Sequence, residues 1–115
     1  MKLSIIVCVL NEIKTIEKIL QKINDVELPN NIQKEIIVID NNSIDGTKEF
    51  LQKIQISENL KVFFQKKNFG KGNSIIKGIE ESSGDIIIFQ DADLEYDPKN
   101  YDKLINHLIK NNLDA

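Results

Sequence analysis

A chain of 115 residues with 41% apolar and 29% charged side chains has the composition of one globular domain, neither disordered nor fibrous. Its net charge of −3 argues against a protein built to coat nucleic acid. The single cysteine, Cys8, excludes an internal disulfide and a cysteine-built zinc site, and it fits a reducing, cytoplasmic setting.

Leu3 to Leu10 is a nearly unbroken apolar run, the pattern of a parallel strand buried on both faces. It is too short to span a bilayer. With one lysine ahead of it and no small-residue cleavage site, it is not a secretory signal. Cys8 within it reads as a small buried hydrophobe. Asn11 is expected to cap a helix that buries Ile13, Ile16, Leu20 and Ile23, broken by Pro29 and Asn30-Asn31. Glu35 to Ile39 predicts a second strand, ending at Asp40-Asn41-Asn42-Ser43. Asp45-Gly46-Thr47 opens a second helix carrying Phe50, Leu51 and Ile54.

Leu60 to Phe64 predicts a third strand, followed by a loop from Gln65 to Gly72. A short helix from Asn73 to about Ser83 is expected to bury Ile75, Ile76 and Ile79. Asp85 to Gln90 reads as a fourth buried strand, and Pro98 as the start of a last helix with Tyr101, Leu104, Ile105, Leu108 and Ile109. Strands alternating with helices predict an α/β fold, an open and mostly parallel sheet with helices on both faces. The alternation calls for another strand after Asn112 to Ala115, so residues 1–115 read as the first part of a larger domain.

Polar clusters fall at three predicted strand ends: Asn11-Glu12, Asp40 to Ser43, and Asp91-Ala92-Asp93. In open α/β sheets ligands bind beyond the carboxyl ends of the strands. Asp91 and Asp93, two apart in an extended segment, point the same way and can converge on one cation. Paired carboxylates suit Mg²⁺ or Mn²⁺. A bare D-x-D equally describes a solvated turn, and Asp40 to Ser43 a helix-capping turn.

Other sites are excluded. Gly70-Lys71-Gly72 lacks the third glycine of a dinucleotide fingerprint, since Ile75 stands there, and no P-loop sequence occurs. Asp91, Asp93, Glu95 and Asp97 fall at alternate positions as in an EF-hand, but Tyr96 replaces the required glycine and Pro98 interrupts the loop. His107, the only histidine, lies on the last predicted helix with no partners for a nucleophilic triad. A receiver-type signalling domain would need an acidic pair after the first strand and an aspartate after the third; Asn11-Glu12 and Phe64-Gln65 stand there instead.

The segments Ser4 to Val7 through Asn11-Glu12, Ile37 to Thr47, Asn68 to Gly72, and Asp85 to Asp93 on to Pro98 resemble the family 2 inverting glycosyltransferases in order and spacing. Asp91-Ala92-Asp93-Leu94 is most similar to the branch making polyprenyl-phosphate sugars, including dolichyl-phosphate mannose and glucose synthases. The resemblance implies a GT-A fold, with residues 1–115 as the nucleotide-sugar-binding part, breaking off before an acceptor half. It implies that Cys8, Leu10 and Glu12 contact the nucleotide, with Cys8 and Leu10 replacing the usual proline and tyrosine. Ile39 and Asn41 would hold the base, Asn41 standing where an acid is common. Asp91 and Asp93 would hold Mg²⁺ or Mn²⁺ and the diphosphate, with Ala92 contributing backbone.

Lys71 could touch phosphate, or simply be solvated; Glu95 and Asp97 read as surface residues. The implied reaction moves a sugar from a UDP- or GDP-sugar to an acceptor, foremost a dolichyl or undecaprenyl phosphate. A relative extending a glycan on a hydroxyl acceptor is the alternative. A hydroxyl acceptor needs a carboxylate base, a phosphate does not, and no catalytic base is assignable within residues 1–115. Members using lipid acceptors work at the cytoplasmic face of a membrane, and no nucleic-acid partner is expected.

Overall fold

The computed structural model describes residues 1–54 and 58–92. Four parallel strands, β1 (Lys2–Val9), β2 (Gln33–Asp40), β3 (Leu60–Phe64) and β4 (Ile86–Asp91), form one sheet in the order β3-β2-β1-β4. Helices α1 (Ile16–Asp25), α2 (Thr47–Ile54) and α3 (Lys71–Glu81) connect them, with a short 3₁₀ turn at Pro29–Asn31. The last predicted helix, with Pro98 and His107, lies outside the described residues, as do Asp93, Glu95 and Asp97.

Alternation along the strands sorts the core into two layers. Leu3, Ile5, Val7 and Val9 of β1 with Ile36 and Val38 of β2 meet Ile16, Ile19, Leu20 and Ile23 of α1 and Leu51 of α2. On the opposite face Ile6, Ile37 and Ile39 form a smaller cluster, with Cys8, Phe63 and Ile87 at its margin. There α3 lies against β1 and β2. The sheet is thus covered on both faces, and the runs of β1 and β2 are apolar at nearly every position because neither face meets water.

The chain grows outward from β1 through β2 to β3, then crosses back to add β4 on the other side of β1. A right-handed crossover in the reversed direction must pass over the opposite face, which is why α3 is the helix found there among the described residues. The reversal leaves a crevice at the carboxyl ends of β1 and β4.

Several expectations change. Helix α1 starts at Ile16, not at Asn11, and its N-cap is Thr15. Asn11 instead adopts φ 55, a left-handed conformation that asparagine tolerates. Its Oδ1 accepts the Ile44 N–H at 2.8 Å. Ile13 therefore lies outside the helix and is 38% exposed. Helix α3 begins two residues earlier than expected, and it buries Ser74 and Gly78, while Ile76 and Ile79 face outward. Gly78 decides this: a Cβ there would come within 2.5 Å of Ile6 Cγ2, so the helix packs through its smallest residue. β4 is not fully buried either. It alternates, with Phe89 half exposed, because only β1 pairs with it among the described residues.

At the amino-terminal edge of the sheet Glu35 is buried, an acid the strand pattern leaves unexplained. Its carboxylate accepts Ser4 Oγ at 2.7 Å, the Ser83 N–H at 2.9 Å, Ser83 Oγ at 3.1 Å and Lys61 Nζ at 3.1 Å. Burial alone would raise its pKa. The hydrogen bonds from Ser4, Ser83 and Lys61 outweigh burial and hold it at about 2.

Candidate functional site

The strand-end loops are built by side chains that replace missing backbone partners. Ser43 Oγ accepts the Asn11 N–H at 2.9 Å, Thr47 Oγ1 accepts the Glu12 N–H at 3.0 Å, and Asp45 Oδ2 accepts the Ile13 N–H at 3.1 Å. Asp45 also accepts from the Thr47 hydroxyl and N–H, contacts that lower its pKa. Thr15 Oγ1 donates to the Ala92 carbonyl at 2.7 Å, tying the end of β4 to the start of α1. The polar residues after β2 thus lock the loop after β1, and that loop locks the end of β4. Asp40 to Ser43 form a side-chain-closed turn, the Ser43 N–H donating to Asp40 Oδ2 at 3.1 Å, but α2 begins only at Thr47, so this turn caps no helix.

Behind these loops, at the crevice predicted by the strand order, lies an open cleft of about 410 Å³. Cys8, Leu10 and Glu12 come to it from the end of β1, Asn41 from the end of β2, Asp91 and Ala92 from the end of β4, and Lys71 from the first turn of α3. Sequence separations of up to 84 residues collapse into one wall-lined space, since parallel strands in register finish at the same level. Ile39 is not among the lining residues; it is fully buried in the smaller core layer.

Lys71 Nζ lies 3.1 Å from Asp91 Oδ1, with both side chains substantially exposed. Burial raises the pKa of the Cys8 thiol; Lys71 lowers it and Asp91 raises it by smaller amounts. Cys8 therefore stays a neutral wall group at neutral pH.

No group of three or more His, Cys, Asp or Glu that could hold a metal occurs among the described residues. Asp91 nonetheless fits a hard divalent ion: its carboxylate is half exposed at the cleft, and Mg²⁺ takes one or two carboxylates with water and phosphate completing the shell.

Two cleft residues escape the sequence pattern. Asn68 binds Asn41, its Oδ1 accepting Asn41 Nδ2 at 2.6 Å. Ser74, fully buried at the cleft, has a hydroxyl without a partner among the described residues. Asn68 sits within a segment the sequence does mark, Asn68 to Gly72; Ser74 carries no signal, since a serine in a helix is ordinarily solvated.

The family model of glycosyl transferase family 2 matches residues 4–115, so the chain belongs to that family. Its open parallel sheet with helices on both faces is the GT-A architecture. The chain is 34% identical over 114 residues to a dolichol-phosphate mannosyltransferase of Pyrococcus furiosus, covering 99% of this chain and 32% of that protein. S. aureus TarS in complex with UDP-GlcNAc superposes with a TM-score of 0.78 at 28% identity, over 96% of this chain and 32% of that one. A mannosyltransferase of Pyrobaculum calidifontis in complex with GDP-Man and Mn²⁺ shares the fold, with a TM-score of 0.80 at 23% identity over 92% of this chain and 32% of its own. The chain thus spans about a third of the length of the relatives it matches. Among the described residues no helix is long and apolar enough to cross a membrane.

Proposed function

We propose that this chain is the donor-binding part of a metal-dependent, inverting glycosyltransferase. It would take a nucleoside-diphosphate sugar as donor and a polyprenyl phosphate as acceptor, at the cytoplasmic face of a membrane. The observation that carries the reading is the convergence of Cys8, Leu10, Glu12, Asn41, Lys71 and Asp91 on one cleft at the carboxyl edge of the sheet. The Pyrococcus relative, named for a dolichol-phosphate acceptor, supports the choice of acceptor. The Mn²⁺ and nucleotide sugars bound by the solved relatives support the choice of donor and ion.

In this reading the nucleoside lies across the ends of β1 and β2. Cys8 and Leu10 give it an apolar wall, Glu12 accepts from hydroxyls, and Asn41 meets the base. Ile39 supports that wall from the core beneath rather than by touching ligand, consistent with its complete burial. Departure of the diphosphate builds negative charge. A divalent ion held by Asp91 and Asp93 would supply the Lewis acidity that neutralises it. Lys71, already beside Asp91, adds a second positive charge at the same place. The acceptor phosphate is itself an anion and attacks without a strong base.

Calorimetric titration of UDP- and GDP-sugars with Mn²⁺ or with EDTA, on wild type and the Asp91→Ala/Asp93→Ala variant, tests the proposal. Metal-dependent binding by wild type and its loss in the folded variant are expected. Binding that ignores both EDTA and the substitutions would overturn the metal role.

A further inference from the structure

The pairing of β4 with β1 ends at Asp91, opposite Cys8, so Ala92 has no strand partner among the described residues. Ala92 is nevertheless buried, with its methyl group in the larger core layer. A buried carbonyl needs a donor. Thr15 supplies one, its Oγ1 donating to the Ala92 carbonyl at 2.7 Å. One residue earlier, Gln90 Nε2 donates to the Asp91 carbonyl at 3.1 Å. Two successive carbonyls at the end of β4 are thus held by side chains.

Thr15 gives up its ordinary task to do this. It is the N-cap of α1, where a threonine oxygen usually accepts an N–H of the first turn, and it makes no such bond. Its hydroxyl turns to the strand end instead. Ile16, Ile19 and Ile23 are fully buried against the sheet, so α1 presents that hydroxyl from a fixed position. Glu12 Oε2 lies 3.3 Å from the same oxygen. One hydroxyl carries one hydrogen, and the shorter contact to Ala92 takes it, which leaves the Glu12 carboxylate its lone pairs for a ligand.

Ala92 stands between Asp91 and Asp93 in the chain, and its carbonyl belongs to the rigid peptide unit that joins it to Asp93. Strand alternation sends the Ala92 methyl into the core and the Asp91 carboxylate to the cleft. Fixing the Ala92 carbonyl therefore fixes the direction in which the chain passes from one carboxylate to the next. Groups that hold metal ligands in place are worth about 10- to 100-fold in metal affinity.

We propose that Thr15 is a positioning residue for the divalent ion. Through the Ala92 carbonyl, its hydroxyl holds the backbone of Asp91-Ala92-Asp93 so that the carboxylates meet one ion. The inference rests on the donor-site reading above. Thr15 touches neither ion nor nucleotide; it ties the segment carrying Glu12 to the segment carrying Asp91.

The test is calorimetric titration of UDP and GDP over a series of Mn²⁺ concentrations and in EDTA. The proteins are wild type, Thr15→Val, Thr15→Gly and Thr15→Ser, with folding checked by circular dichroism. Valine keeps the shape without the donor, glycine is a tolerated N-cap without the donor, and serine keeps the donor. Thr15→Val and Thr15→Gly are expected to need about tenfold more Mn²⁺ than wild type for half of the metal-dependent binding. In EDTA they are expected to match wild type, and Thr15→Ser is expected to match it throughout. If the valine variant does not fold, the glycine variant carries the test. An unchanged Mn²⁺ requirement in either folded variant overturns the proposal. Equal weakening in Mn²⁺ and in EDTA also overturns it, for that is a merely structural role, and so does Thr15→Ser behaving like Thr15→Val. Wild-type binding that ignores Mn²⁺ overturns the metal role in the donor-site reading itself, and this inference with it.

Discussion

Replacing Glu35 by glutamine isolates the most heavily hydrogen-bonded acid among the described residues. The carboxylate takes hydrogen bonds from Ser4, Ser83 and Lys61, and glutamine keeps the shape while losing the charge and one acceptor oxygen. A pKa of about 2 in the folded chain against 4.5 otherwise corresponds to roughly 3 kcal/mol of stability at neutral pH. Since the folded value lies below the unfolded one, that contribution is complete above about pH 5 and drains away as pH falls towards about 2. At about pH 3 roughly 1.4 kcal/mol of it remains. Urea unfolding followed by circular dichroism, on wild type and Glu35→Gln at neutral pH and near pH 3, reads the difference directly. The gap between the two proteins should shrink by more than half on acidification. A gap that stays constant with pH would refute the reasoning, since other carboxylates titrate equally in both proteins. Lys61 is half exposed, so its ion pair is screened and Lys61→Met should cost only about 0.5–1 kcal/mol.

Gly84→Ala should destabilise more than Gly78→Ala in the same unfolding assay. A Cβ at 84 meets Ser4 N at 2.7 Å and Lys2 O at 2.9 Å, which are backbone, whereas at 78 it meets only the Ile6 side chain. For Gly78→Ala an overpacking cost of about 1–3 kcal/mol is partly offset by helix propensity of about 1 kcal/mol, and Ile6→Val beside it should recover part of the loss. Thr47→Val should cost about 1–3 kcal/mol, because it strands the Glu12 N–H and frees Asp45. Faster hydrogen exchange at Glu12 than in wild type would report the same loss; unchanged exchange there would contradict it. Lys34→Met should shorten the ordered part of α1, since Lys34 Nζ binds the carbonyls of Ile23, Asn24 and Val26 at 2.6–2.8 Å. Exchange protection of residues 23–26 measures it.

For the described residues, sequence period alone determined which segments are strands and helices, because β-branched runs of strand length and stripes at helical spacing bury apolar area in only one way. It also determined that Glu12, Asn41 and Asp91 stand at strand ends, and parallel pairing then brings such ends to one edge. What it left open depended on partners distant in the chain. Asn11 looked like a cap because asparagine caps helices locally, but the Ser43 hydroxyl and the Ile44 N–H bind it into a left-handed turn. Ile76 and Ile79 looked buried because they are apolar, but Gly78 lets α3 approach Ile6 more closely than they could. Ile39 is expected at the base from the family resemblance, but its side chain packs fully buried in the smaller core layer. The Asn41–Asn68 clasp and the Glu35 network are likewise invisible along the chain. Hydrogen bonds between residues 26 to 48 apart leave no period in a sequence, and only the packed sheet decides which donors meet which acceptors.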